Sequence, residues 1–245
     1  MATVEPGILR ELVAAIEQGP RIGAVSPVLR DIHDGHIARC INSHDWGKRT
    51  ATRILDVEEA GRFQDAHPEA VWVDGTAVLF RVQALAETGP LDDRLFAYYD
   101  DNDIGVRLAG KGWLSRCVFS ATAFHENRDG LEEFPLYLSY LLQRNEMLFF
   151  QTHTPAPYRR MLWLKLVDKA LFDVSRFRDY GFKAHSDAAL LSMVDFLRGS
   201  FGPPAHQRRV PLFLRAACAI ARRVYTIKNA KSRRAARRAL APAQQ

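Results

Sequence analysis

The 245 residues carry 34 Lys+Arg and 28 Asp+Glu, yet positions 196–245 hold twelve basic residues and no acidic one, so the formal +6 joins an acidic body to a basic tail. The 47% hydrophobic content excludes global disorder. Three distant cysteines, Cys40, Cys117 and Cys218, exclude a zinc ribbon or disulfide scaffold and point to a reducing compartment. The first eighteen residues are acidic and amphipathic rather than a signal peptide, and no run of ~18 apolar residues is present to cross a bilayer.

In chain order, Ile8, Leu12, Ala15 and Ile16 give helical periodicity over 8–18, entered through Glu5-Pro6-Gly7 and ended by Gly19-Pro20. Residues 22–29 read as a buried strand that Pro27 pushes toward a sheet edge or strand end. Residues 30–70 are polar and weakly periodic, a long excursion with some strand character around His36–Ile41. A strand over 72–81 is interrupted by Asp74-Gly75, and a short helix over 82–89 is stopped by Gly89-Pro90. The apolar Leu95–Tyr99 runs into Asp100-Asp101-Asn102-Asp103, and a helix continues from there to Lys111. Residues 114–124 form another strand, with His125 at its end. Patterns at 134–150, 157–177, 186–198 and 211–238 are helical. Strands alternating with helices before residue 125 indicate an α/β core.

Carboxylates at a helix start are favoured by the unpaired N–H groups and the macrodipole, which accounts for one or two of Asp100, Asp101 and Asp103. Three within four residues exceed what a cap needs, and like charges so close raise one another's pKa, as suits a general base or a metal site.

The wider string resembles the second half of the family 2 glycosyltransferases, particularly rhamnosyl- and galactofuranosyltransferase-like members. The residues that carry the resemblance are Val73-Asp74-Gly75-Thr76-Ala77, Glu87–Asp92, Phe96–Ile104, Arg107-Leu108, Gly110-Lys111-Gly112-Trp113 and His125. Weaker matches, Tyr137, Tyr140 and Arg144-Asn145, then Asp195–Gly199 to Gly202-Pro203, extend it over roughly residues 4–204. It implies an α/β protein with an incomplete glycosyltransferase A-type (Rossmann-like) mixed sheet, succeeded by a helical C-terminal region. The expected divisions are 1–130 for the acceptor-side part, 131–204 for a helical region and 205–245 for a basic helical tail.

By the resemblance, Asp101 takes the proton from an acceptor hydroxyl, which attacks a nucleotide-sugar with inversion. Asp100 orients the acceptor or the base, and Asp103 is either a substrate contact or a cap. Asp74, Gly75 and Thr76 lie against the sugar, Gly75 admitting close backbone approach, the alternative being a bulge. Trp113 stacks on an acceptor sugar or packs in a core. His125 joins the metal that holds the diphosphate, although a strand-end His alone reads as structural.

The family's front half, with its Asp-x-Asp for Mg²⁺ or Mn²⁺, has no counterpart. Asp101-x-Asp103 belongs to the later motif, and Thr3–Leu9 matches the family segment just C-terminal to the metal pair. The expectation is therefore a fragment, or a half completed by another polypeptide. The divalent metal is expected only with that missing half. The expected partners are a nucleotide-sugar donor and a glycan or lipid-linked acceptor of cell-surface polysaccharide synthesis. The basic apolar stretches around 158–167 and 210–238 suit an anionic membrane surface, placing the chain at the cytoplasmic face, with a solvated tail as the bland reading. Nucleic acid is not expected, because the body is acidic. The rival function is a non-catalytic, membrane-associated interaction module that retains a glycosyltransferase remnant.

Overall fold

A computed structural model describes residues 2–126, 135–220 and 223. The chain forms two compact units, Met1–Phe134 with Leu148–Arg160, and Pro135–Met147 with Met161–Gln245. The first is mixed α/β.

Its centre is a parallel pair, β2 (Ile22–Asp31) and β7 (Leu114–His125). β1 (Ala2–Val4) adds antiparallel to the outer side of β7. Two short strands, β3 (Ile37–Arg39) and β6 (Leu79–Phe80), add antiparallel along the other side of β2. Helix α1 (Ile8–Glu17) buries Ile8, Leu12 and Ile16 against Ile22, Val25 and Leu29 on one face of the sheet. The opposite face packs Ala24 and Val28 with Ala60 of α2 (Val57–Ala66), Ala84 of α3 (Val82–Thr88), and Ile104 and Leu108 of α4 (Asp100–Gly110). A strand covered on both faces reads as a continuous apolar run, as β2 does.

Pro27 stands in the middle of this central strand and not at an edge or an end. Two features make room for it. Facing β7 the register jumps from Pro27↔Val118 to Val28↔Thr122, a bulge. On the other side, β6 pairs only Ala24 and Val25 and β3 only Leu29 and Arg30. The missing N–H therefore lies where the ladder is already broken.

The excursion over 30–70 is more ordered than its weak periodicity suggests. It contains β3, a hairpin of β4 (Ile41–Asp45) and β5 (Thr50–Ile54), and α2. Four of the five β5 residues are exposed, so no alternation marks it. Asp56 caps α2 by accepting the Glu59 N–H at 2.8 Å, and Asp-x-x-Glu is a start signal legible in the sequence. The span 72–81 is strand only at Leu79–Phe80, with Trp72 bridged to Asn42, because Asp74 accepts the backbone N–H of Thr76 and turns the chain.

The second unit is helical. α5 (Leu136–His153) begins in it and delivers its last residues to the first unit. α6 (Leu162–Asp179) buries Leu162, Leu166, Ala170, Val174 and Phe177 at helical spacing, and α7 (Lys183–Arg198) comes next. Residues 212–220 are helical; the rest of the basic tail, 224–245, lies outside the described residues. Within this unit Asp195 accepts from Tyr140 and Arg208, tying the segment after α7 back to it.

Candidate active site at the start of the fourth helix

The loop before α4 is strained. Phe96, Tyr98 and Tyr99 have φ of 63, 66 and 69°, left-handed values that non-glycine residues adopt at a cost on the order of 1–3 kcal/mol each. The buried Leu95 anchors the loop, and Tyr99 C=O accepts the Asp103 N–H at 2.8 Å, starting the helix directly after the turn. The turn therefore sets the direction in which Asp100 and Asp101 leave the backbone.

Asp101 meets the Asp74-Gly75 turn. Its Oδ2 accepts the Gly75 N–H at 3.2 Å, and its Oδ1 accepts the backbone and side-chain N–H of Asn102, both at 2.8 Å. A Cβ at position 75 would stand 3.3 Å from Cβ of Asp101, so glycine is what admits this approach. Burial is the largest influence on the Asp101 carboxyl and pushes its pKa above 3.8; the charge of Asp74 adds to the rise, and the N–H donors oppose it. Asp100, Asp101 and Gly75 line a cavity of about 60 Å³ whose other walls include Val73, Val78 and Leu91. A partly desolvated carboxylate facing such a cavity has the proton affinity a general base needs.

The other sequence-assigned residues fall into two groups. Asp74 and Thr76 are at the site, with Asp74 Oδ1 accepting from Thr76 N–H and Oγ1 at 3.0 and 2.5 Å, and Oδ2 lying 3.4 Å from Arg39 Nε. Arg53 of β5 is attracted by Asp74 and Asp101 and repelled by Arg39. These two arginines carry positive charge to the site and were not singled out by the sequence.

Asp103, Trp113 and His125 are placed otherwise. Asp103 is buried, and both oxygens are taken: Oδ2 by Arg107 Nε and Nη2 at 2.8 and 2.7 Å, Oδ1 by His153 Nε2 at 2.6 Å. Arg107 also donates to the carbonyls of Thr88 and Pro90, so this pair ties α4 to the end of α3. Trp113 is 1% exposed and belongs to the core, its Nε1–H donating to Glu87 Oε2 at 2.9 Å under an Arg21 guanidinium 4.2 Å from the ring centroid. Trp113→Ala is expected to cost ~3–5 kcal/mol of stability in denaturant titration; a variant as stable as the wild type would contradict the core placement. His125 ends β7 between Ala2 and Asp31.

Two of the motif's carboxylates, Asp101 and Asp103, are already taken by donors and are not free to hold a metal ion. Asp101 is engaged by three N–H donors, and Asp103 by Arg107 and His153. Among the described residues, Asp31, Asp34 and His36 bring ligand-type atoms together, but they sit in the β2–β3 turn. There Asp31 and Asp34 accept the N–H groups of His33 and His36, as turn carboxylates do.

No family model matches the chain. It is similar to the N-acetylglucosaminyl-diphospho-decaprenol L-rhamnosyltransferases of two Mycobacterium tuberculosis strains, CDC 1551 / Oshkosh and ATCC 25618 / H37Rv. Each is 30% identical over 134 residues, a match covering 49% of this chain and 42% of the relative. The chain thus spans less than half the length of the curated relatives it matches, and the likeness supports a relationship to glycosyltransferases.

Proposed function

We propose that the chain carries the acceptor side of an inverting, family 2-like glycosyltransferase in which Asp101 is the base. The observation that carries this reading is the Asp101 carboxyl itself, set at a cavity wall, oriented by three N–H donors and raised in pKa by burial. Asp101 takes the proton of an acceptor hydroxyl as that oxygen bonds to the anomeric carbon. The bond from that carbon to the nucleoside diphosphate breaks, its electron pair leaves with the diphosphate, and the anomeric configuration inverts. In this reading Asp100 and the Asp74–Thr76 turn hold hydroxyls of the sugars. Arg39 and Arg53 offset the concentration of negative charge. A divalent ion would supply charge for the departing diphosphate; it would need carboxylates beyond those of this site, with His125 as this chain's assigned contribution.

The relatives' acceptor, a sugar on a polyprenyl diphosphate, supports a lipid-linked acceptor here. No helix of the described residues is long and apolar enough to cross a membrane. Peripheral attachment at the cytoplasmic face fits exposed Trp163 and Leu164 on α6, exposed Leu212 and Phe213, and exposed Arg209 and Arg223, at ~1 kcal/mol per basic residue near anionic lipid.

The test supplies the full chain with nucleotide-activated L-rhamnose, Mg²⁺ and N-acetylglucosaminyl-diphospho-polyprenol. The expected result is saturable acceptor binding and, where transfer is measurable, a product of inverted anomeric configuration. A well-folded chain that neither binds the acceptor nor transfers would overturn the reading in favour of a non-catalytic module.

A further inference from the structure

Asp101 is not held by its own helix alone. His44 of β4, 58 positions earlier, places Nε2 3.0 Å from Asn102 Oδ1. A carboxamide oxygen only accepts, so Nε2 carries the proton and donates it. The same amide turns its nitrogen to Asp101, Nδ2 standing 2.8 Å from Oδ1. The three side chains form one directed series, from imidazole N–H to amide C=O, and from amide N–H to carboxylate.

The imidazole is fixed on several sides. Trp72 stacks on it with centroids 5.1 Å apart and planes 14° from parallel, while Trp46 and Phe149 lie at 5.0 and 4.9 Å. An amide flip at Asn102 would set its oxygen against the carboxylate and its NH₂ against the imidazole N–H, so the carboxylate and the ring together hold the amide in one orientation. With Asn102 so fixed, Oδ1 of Asp101 holds two donors and Oδ2 only the longer one from Gly75. Oδ2 is then the oxygen with room to take a proton.

We propose that His44 is a positioning residue for Asp101, acting through Asn102 and reserving Oδ2 of Asp101 for the acceptor proton. The part of this that concerns turnover rests on the transferase reading above; the hydrogen-bond series does not. Burial, only partly opposed by the hydrogen bond to Asn102, holds the His44 pKa down to about 4, so the ring stays a neutral, single-proton donor at neutral pH. The charged groups that face Asp101 are Asp74 from its turn, Asp100 from α4 and Arg53 from β5, and none of them is altered by changing His44.

The experiment titrates the Asp101 carboxyl by ¹³C NMR in the full wild-type chain, in His44→Phe and in His44→Gln, whose Nε2 can replace the ring donor. The Asp101 midpoint is expected to rise in His44→Phe, which loosens the amide, and to return in His44→Gln. Where transfer is measurable, kcat near neutral pH falls about 3–10-fold in His44→Phe with KM unchanged, the rate equivalent of one hydrogen bond. An unchanged Asp101 midpoint in folded His44→Phe overturns the proposal. So does a wild-type long-range ¹H–¹⁵N spectrum that puts the His44 proton on Nδ1, a measurement needing no variant. A midpoint that moves in a chain that neither binds the acceptor nor transfers supports the series and sinks the transferase reading instead.

Discussion

Asp101→Asn is expected to lower transfer by about 10²–10⁴-fold, the usual contribution of a positioned base, and to make the protein more stable at neutral pH. The two effects share a cause. The Asp101 carboxyl is raised above 3.8 first by burial and then by Asp74, and its three N–H donors only partly compensate. A carboxyl raised by folding binds its proton more tightly in the folded than in the unfolded chain. Its stabilising contribution is therefore present below 3.8, falls as pH rises through the folded-state value, and becomes a charge cost above it. Asparagine carries no charge and keeps an oxygen for the Asn102 backbone N–H. The variant should show a flatter dependence of stability on pH, and each ~1 kcal/mol gained at neutral pH raises Tm by roughly 2–4 °C. Thermal unfolding from pH 3 to 8 measures this. An unchanged turnover would remove Asp101 as the base, and a lower Tm at pH 7 would contradict the charge cost.

What the sequence made legible depended on whether the signal was local. α1, β2, α4 and β7 announce themselves because each buries a stripe or run of its own residues and ends at glycine, proline or a polar turn. The Asp100–Asp103 string stood out because its motif is contiguous and its neighbours in the string keep order and spacing. The β4–β5 hairpin was not, because β5 is exposed along most of its length and leaves no apolar period to read. Pro27 misled because its local cost is real, whereas the bulge and the gap between β3 and β6 that relieve it are properties of the assembled sheet. Asp103 divides the same way. Arg107, four residues on, is a helical neighbour the sequence could have paired with it, but His153 comes from fifty positions away. His44 gave no local sign at all, since its role exists only where β4 meets the start of α4.

Gly105→Ala should be strongly destabilising for the single methyl group it adds. A Cβ at position 105 would lie 2.5 Å from Cβ of Trp72 and 3.5 Å from its Cγ, closer than real Cβ atoms approach. Trp72 cannot retreat freely, because its N–H donates to Asn42 C=O at 2.9 Å and its C=O accepts the Asn42 N–H at 3.1 Å. The helix must move instead, and one turn back along it is Asp101. The Gly75 N–H that orients Asp101 lies three residues beyond Trp72, so the two halves of the site are pressed apart by a single methyl group. Overpacking of this kind costs ~1–3 kcal/mol even after local relaxation, while alanine's better helix propensity returns at most ~1 kcal/mol. Gly110→Ala is the matching control, since it lies in the same helix with nothing within 4 Å of its Cβ. That variant should be neutral or stabilised by up to ~1 kcal/mol. Denaturant titration of both, with the Gly75 amide tracked by NMR, separates the causes. Loss of stability and a shifted Gly75 signal in Gly105→Ala alone place the cost at the Trp72 contact; equal effects in the two variants would place it in the helix backbone and refute the assignment.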